Sequence, residues 1–184
     1  MNLPALSPFS PLAAVLGDID RCIQAKLYYP ALLVALTVPE ICSALALDTG
    51  VFVKEKHYVA FVDKYTTPSA LGLDGLSCYR LRGGVVHRAN AAGHPYLGAT
   101  HVIFTIPETL GGVHAIGVKM PEKYAAMFDL VLFSNEMVAA AYRWYEDHQQ
   151  DPKVAKNMDN LIRYLPNGLH PFVGPGIPIV ASGP

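Results

Sequence analysis

Apolar residues crowd the stretch from Leu27 to Leu47, where Glu40 is the only charged side chain. A bilayer span needs about 20 such residues. Pro39-Glu40 falls just past the middle and no strong basic flank orients the run, so the pattern predicts a buried central helix from Pro30 to Leu47, bent or restarted at Pro39, and no membrane span. Upstream, Pro4, Pro8 and Pro11 predict an extended leader over the first sixteen residues. A helix then runs from Gly17-Asp18 to about Tyr28, with Asp18 and Asp20 at the positive end of its dipole. Downstream, Tyr58, Phe61, Val62 and Tyr65 recur at helical spacing within Lys54 to Thr66, which predicts one apolar face, and Thr67-Pro68-Ser69 ends that helix.

The second half changes period. His101-Val-Ile-Phe-Thr-Ile106 and Val113-His-Ala-Ile-Gly-Val118 are rich in β-branched and aromatic residues and bracket the turn-rich Pro107 to Gly112, which predicts a hairpin leaning on the helices. Pro121 at a helix start, with Glu122 beside it, predicts a long helix to about His148. Tyr124, Met127, Val131, Asn135, Val138, Tyr142 and Tyr145 repeat at threes and fours along it, which predicts one packing seam. Val154 to Leu165 reads as a short last helix, and from Pro166 onward the chain is rich in Pro and Gly without periodicity. The expectation is a mainly all-α fold, a bundle of about five to six helices with a small β-hairpin insertion near 101–118. It forms a single helical domain over 1–165 with a C-terminal tail over 166–184.

Composition fits that picture and narrows it. With 52% hydrophobic and 16% charged residues in 184, the chain has material for one sizeable core. A net charge of -1 argues against a protein that coats nucleic acid over a broad basic surface, so any such contact must be local. Cys22, Cys42 and Cys78 are widely spaced and read as reduced thiols, which fits a cytoplasmic protein; no basic leader precedes Arg21 to suggest export. No His-Glu-x-x-His, paired Cys-x-x-Cys or phosphate-binding glycine loop occurs, so neither a metal nor a cofactor is expected.

The local charge is concentrated. Ser77 to Pro107 holds no Asp or Glu, yet it carries Arg80, Arg82 and Arg88 with His87, His94 and His101. Guanidinium forks match phosphate oxygens, and imidazole exchanges protons near neutrality, so the pairing suits phosphate-ester chemistry. Two backbone readings of Ser77 to Asn90 stay open. Alternation around Gly83-Gly84 allows a β-hairpin, whereas Cys78, Leu81, Val85 and Ala89 fall at helical spacing, and two helical glycines cost only about 1 kcal/mol each, which favours helix.

The run Cys78-Tyr-Arg-Leu-Arg-Gly-Gly-Val-Val-His87 resembles the Arg-x(4–6)-His signature of HEPN domains, in particular uncharacterised bacterial HEPN-like proteins, with a similar look to the preceding helix ending Phe61-Val-Asp-Lys-Tyr65. The resemblance covers Pro30 to Asn90. It implies a helical homodimer whose Arg and His side chains face a shared cleft. It also implies a metal-independent endoribonuclease of the toxin or defence kind that cuts RNA by 2′-hydroxyl attack, with a neutralising antitoxin or a nucleotidyltransferase as possible partner. Arg82 would stabilise charge on the phosphate and His87 would move the proton. Arg80 and Arg88 would bind phosphate, Asp63 would orient His87, and Tyr79 would stack on a base. Many active members carry Asn, Asp or His after the arginine, where this chain has Gly83, so a module that binds RNA or a nucleotide without cutting is the alternative. A structural or membrane-associated helical protein is a further one, motivated by Leu27 to Leu47. On a helical wheel, positions 80 and 87 lie about 20° apart and 82 and 87 about 140° apart, so geometry favours Arg80 as the partner of His87 while the resemblance favours Arg82.

Overall fold

The fold is described from a computed structural model, which describes residues 6–7, 10–94, 97–108 and 112–183. Helix α1, Pro11–Gln24, starts earlier than the proline count suggests, because Ser10 accepts a hydrogen bond from Ala13 N at 3.1 Å and Pro11 takes the first helical position, where no amide donor is needed. Helix α2, Tyr28–Leu45, runs through Pro39. A proline there removes one rung of the helical ladder, and Tyr58 Oη donates to Leu36 O at 2.9 Å from the neighbouring helix. By length and composition α2 is apolar enough to cross a membrane. In this fold it is the central helix, packed by α1 and by α3 (Glu55–Tyr65), α5 (Gly75–Arg88), α6 (Leu130–His148) and α7 (Pro152–Met158). A short α4, Pro68–Leu71, links α3 to α5.

The architecture is mainly helical with a smaller strand component, as expected from the sequence. The strands are β1 (Ala92–His94), β2 (Ala99–Thr105), β3 (Ile116–Met120) and β4 (Lys123–Asp129), ordered β1-β2-β4-β3 in one sheet. Of the two stretches expected to form the hairpin, the first is strand β2 and the second is strand only from Ile116 onward, as part of β3, and the two do not pair with each other. Strand β4 lies between them, parallel to β2 and antiparallel to β3. Residues 109–111 of the expected connector lie outside the described residues.

Strand β4 also corrects the long helix expected from Pro121. Pro121-Glu122 is the turn that joins β3 to β4, and α6 begins only at Leu130, where Asp129 Oδ1 accepts from Val131 N and Leu132 N. Period-two burial of Ala126 and Phe128 was hidden under the accidental threes and fours of Tyr124, Met127 and Val131. Within α6 the buried stripe is Leu130, Phe133, Met137, Ala140, Ala141 and Trp144, so the expected seam lies on its flank, with Asn135 exposed.

The C-terminal region is likewise shorter in helix and richer in strand. Helix α7 ends at Met158, with Asp151 capping it and Pro152 at its start. Its Asn157 amide donates to Leu45 O and Leu47 O at 3.0 and 2.8 Å, satisfying carbonyls left over at the end of α2. The tail folds back on the body: β5, Arg163–Leu165, pairs with β6, Ile179–Ala181, and Arg163 Nη2 donates to Gly183 O at 2.7 Å.

Candidate functional site

The ambiguous Ser77 to Asn90 stretch is helical. Asp74 caps α5 by accepting from Ser77 N at 2.7 Å, and Asp63 Oδ1 accepts from Gly75 N at 2.8 Å. Asp63 therefore serves the start of α5, about 18 Å along the axis from His87, and the structure does not bring it to the imidazole. A Cβ at Gly75 would lie 2.7 Å from both Asp63 Oδ1 and Val59 O, so this close helix crossing needs a glycine. At the other end Ala89 takes a left-handed conformation, φ 49°, and Asn90 N donates back to Gly84 O at 3.1 Å. Gly84 lies under that turn, where an added Cβ would sit 2.5 Å from Asn90 O, whereas Gly83 faces open space. The glycine pair that suggested a hairpin is thus a helix end with one crowded and one free position.

Arg82 and His87 meet on the surface of α5, with Nη1 3.3 Å from Nε2. Guanidinium has only donors, so Nε2 accepts and the proton of the neutral ring sits on Nδ1. Arg82 Nη2 donates to Glu40 Oε2 on α2, and Arg82 Nε is buried without a partner among the described residues. The Arg82 side chain is only 14% exposed, and His87 is exposed. The site is therefore a chain running from carboxylate to guanidinium to imidazole, with the guanidinium the most buried of the three.

Arg80, which the helical wheel favoured, does not take this place. Its Nη2 pairs with Glu55 Oε2 at 3.0 Å. The Arg80 and Arg82 guanidinium carbons each lie 5.8 Å from the Tyr79 ring centroid, within cation–π range, and Tyr79 packs edge-on against Tyr58 at 5.5 Å. Tyr79, Arg80, Arg82, Gly83, His87 and Arg88 line an open depression of about 380 Å³. His101 lies on β2, and the His94 side chain lies outside the described residues. Among the described residues no cluster of three or more His, Cys, Asp or Glu side chains is placed to hold a metal ion.

Glu40 is the member of this site that reading the sequence missed. Its signal was present: a lone carboxylate in an apolar helix requires a countercharge, and Ser77 to Pro107 offers cations without acids. The depression can hold an anion against the arginines that line it, Arg80, Arg82 and Arg88, and it presents a ring nitrogen for proton transfer beside them. No family model, curated protein or solved structure matches this chain.

Proposed function

We propose that this chain is a HEPN-like module that acts on RNA at the Arg82–His87 depression, as a metal-independent endoribonuclease. The observation that carries the reading is the 3.3 Å approach of Arg82 Nη1 to His87 Nε2 in an open depression also lined by Arg80, Arg88 and Tyr79. A phosphate entering there attracts Arg82 and frees the Nε2 lone pair. The 2′-oxygen then bonds to phosphorus as the bond to the 5′-oxygen breaks. The hydroxyl proton passes to Nε2, and the leaving oxygen takes a proton from the imidazolium of a second copy across a shared cleft. The products are a 2′,3′-cyclic phosphate and a 5′-hydroxyl, with no water consumed. Arg82 offsets the charge that builds on the non-bridging oxygens. The dimer and the toxin or defence setting rest on the resemblance alone.

One feature favours the second reading, RNA binding without cutting. Glu40 already neutralises Arg82, and the following residue is Gly83, which brings no polar group. The two readings separate when the purified protein is incubated with single-stranded RNA in EDTA. The first predicts fragments with cyclic phosphate ends, and no fragments with Arg82→Ala or His87→Ala. Retention of RNA without cleavage, weakened by Arg82→Ala, selects the second, and absence of both binding and cleavage overturns each.

A further inference from the structure

A second cavity, of about 310 Å³, lies between the end of α2, one side of α3 and the end of α6, and it shares no lining residue with the Arg82 depression. Its size is at the lower end of the roughly 300–1,000 Å³ of small-molecule sites. Its wall is a run of neighbouring rings. Phe61 lies 5.4 Å from Tyr65, Tyr65 meets His148 edge-on at 6.2 Å, and His148 stacks on Trp144 at 4.6 Å with the planes 14° apart. Phe61, Tyr65 and Trp144 are buried, so the core holds this wall in place.

The polar groups that line it are only half used. His148 Nδ1 lies 2.8 Å from Trp144 O, and a carbonyl only accepts, so Nδ1 carries the proton and Nε2 of the neutral ring is left as an acceptor. His57 holds the opposite tautomer. Its Nδ1 accepts from Lys54 N at 3.1 Å, which leaves the proton on Nε2 as a donor. Lys64 Nζ gives protons to Asp147 Oδ2 and Tyr65 Oη at 2.8 and 2.7 Å and keeps a third. Trp144, only 3% exposed, has no hydrogen-bond partner for its indole N–H among the described residues.

We infer that this cavity binds a small aromatic hydroxy acid of the 4-hydroxybenzoate class. A hydroxyl both accepts and donates, which is what two imidazoles of opposite tautomer, His57 and His148, ask of one partner. An ionised carboxylate only accepts, and Lys64 offers it a charged donor. His57 and Lys64 stand seven residues apart on one side of α3, about 10 Å along the axis, and a para-substituted ring with a hydrogen bond at each end spans about that distance. The ring itself lies against Phe61 and Trp144. Asp147 already holds Lys64, which keeps the affinity modest. The site is independent of the reading of Arg82 and His87.

Trp144 is the only tryptophan of the chain, so its indole N–H resonance in the nitrogen-labelled protein reads this cavity directly. Titration with 4-hydroxybenzoate is expected to move that resonance in saturable fashion with a dissociation constant below about 1 mM. Benzoate, which lacks the hydroxyl, and phenol, which lacks the carboxylate, are each expected to bind at least about threefold more weakly. Ala60→Phe, which fills the cavity from an exposed position on α3, is expected to abolish the movement with an unchanged far-ultraviolet circular dichroism spectrum. Lys64→Met keeps the stem and removes the charge; it is expected to weaken 4-hydroxybenzoate at least about threefold and to leave phenol unchanged, and it carries the test if Ala60→Phe fails to fold. No saturable movement up to about 10 mM, equal binding of the three compounds, or binding of 4-hydroxybenzoate that Lys64→Met leaves unchanged overturns the proposal.

Discussion

Glu40 on α2 and Arg82 on α5 form an ion pair across the helix interface, with side chains only 34% and 14% exposed. The pair joins the most apolar helix of the chain to its most cationic segment and holds the guanidinium with one face toward His87. Its partial burial makes it both a structural tie and a competitor for any anion that approaches Arg82. Glu40→Gln keeps the shape and removes the charge. It should lower stability by about 1–3 kcal/mol in urea denaturation and tighten binding of single-stranded RNA several-fold in filter binding. Equal affinity for RNA in the two forms would mean that Arg82 does not meet the phosphate.

The two glycines of the signature should respond in opposite directions. Gly83 has open space around it, so Gly83→Ala should stabilise by about 0.5–1 kcal/mol through helix propensity. Gly84 lies beneath Asn90 O, so Gly84→Ala should destabilise by about 1–3 kcal/mol through overpacking and loss of the helix end. Thermal denaturation of the two variants checks both. Equal shifts would show that the helix does not end as described.

Away from the site, Lys64 Nζ and Tyr65 Oη both hydrogen-bond Asp147 Oδ2, at 2.8 and 3.0 Å. The hydrogen bond from Lys64, then that from Tyr65, holds the Asp147 carboxyl below its usual value. A depressed carboxylate contributes stability above its unfolded value of about 3.9 and loses it as pH falls through the lower folded value. The stability difference between wild type and Asp147→Asn should therefore be small, present at neutral pH, and gone in strong acid. Urea titrations across the acid range read it, and a difference that persists at every pH would contradict the assignment.

The cysteines should fall into two classes. Burial pushes the Cys42 and Cys78 thiols far up, and both are fully enclosed, whereas Cys22 is partly exposed on α1. One thiol should react with a disulfide reagent in the native protein and the other two only after denaturation. Rapid reaction of all three would contradict the packing of α2 against α5.

Legibility in the sequence follows the range of the forces involved. Helices α2 and α3 were readable because their apolar spacing is local, whereas α5 was readable only in part, because Gly83-Gly84 left a hairpin open beside the helical spacing of Cys78, Leu81 and Val85. Strand β4 was not, because Lys123 to Asp129 is a strand only by virtue of β2 and β3 on either side, and its threes and fours imitate a helix. The tail strand β6 was invisible for the same reason, since its partner β5 lies 14 residues earlier across a Pro/Gly-rich loop. Arg82 and His87 could be singled out as types in a cationic segment. Their meeting could not, because an ideal helix sets them about 140° apart and only the long arginine side chain, anchored by Glu40, spans that gap. The same geometry misled the wheel about Arg80, which Glu55 draws away from His87.

The most direct test is the nitrogen resonance of the His87 ring, followed while a short 2′-O-methyl RNA that cannot be cut is titrated into the labelled protein. The account predicts a free ring with Nδ1 protonated and Nε2 accepting from Arg82. On titration the Nε2 signal should move in saturable fashion, and Arg82→Ala should abolish the movement. RNA that binds while the His87 signal stays still, or no binding at all, would contradict it.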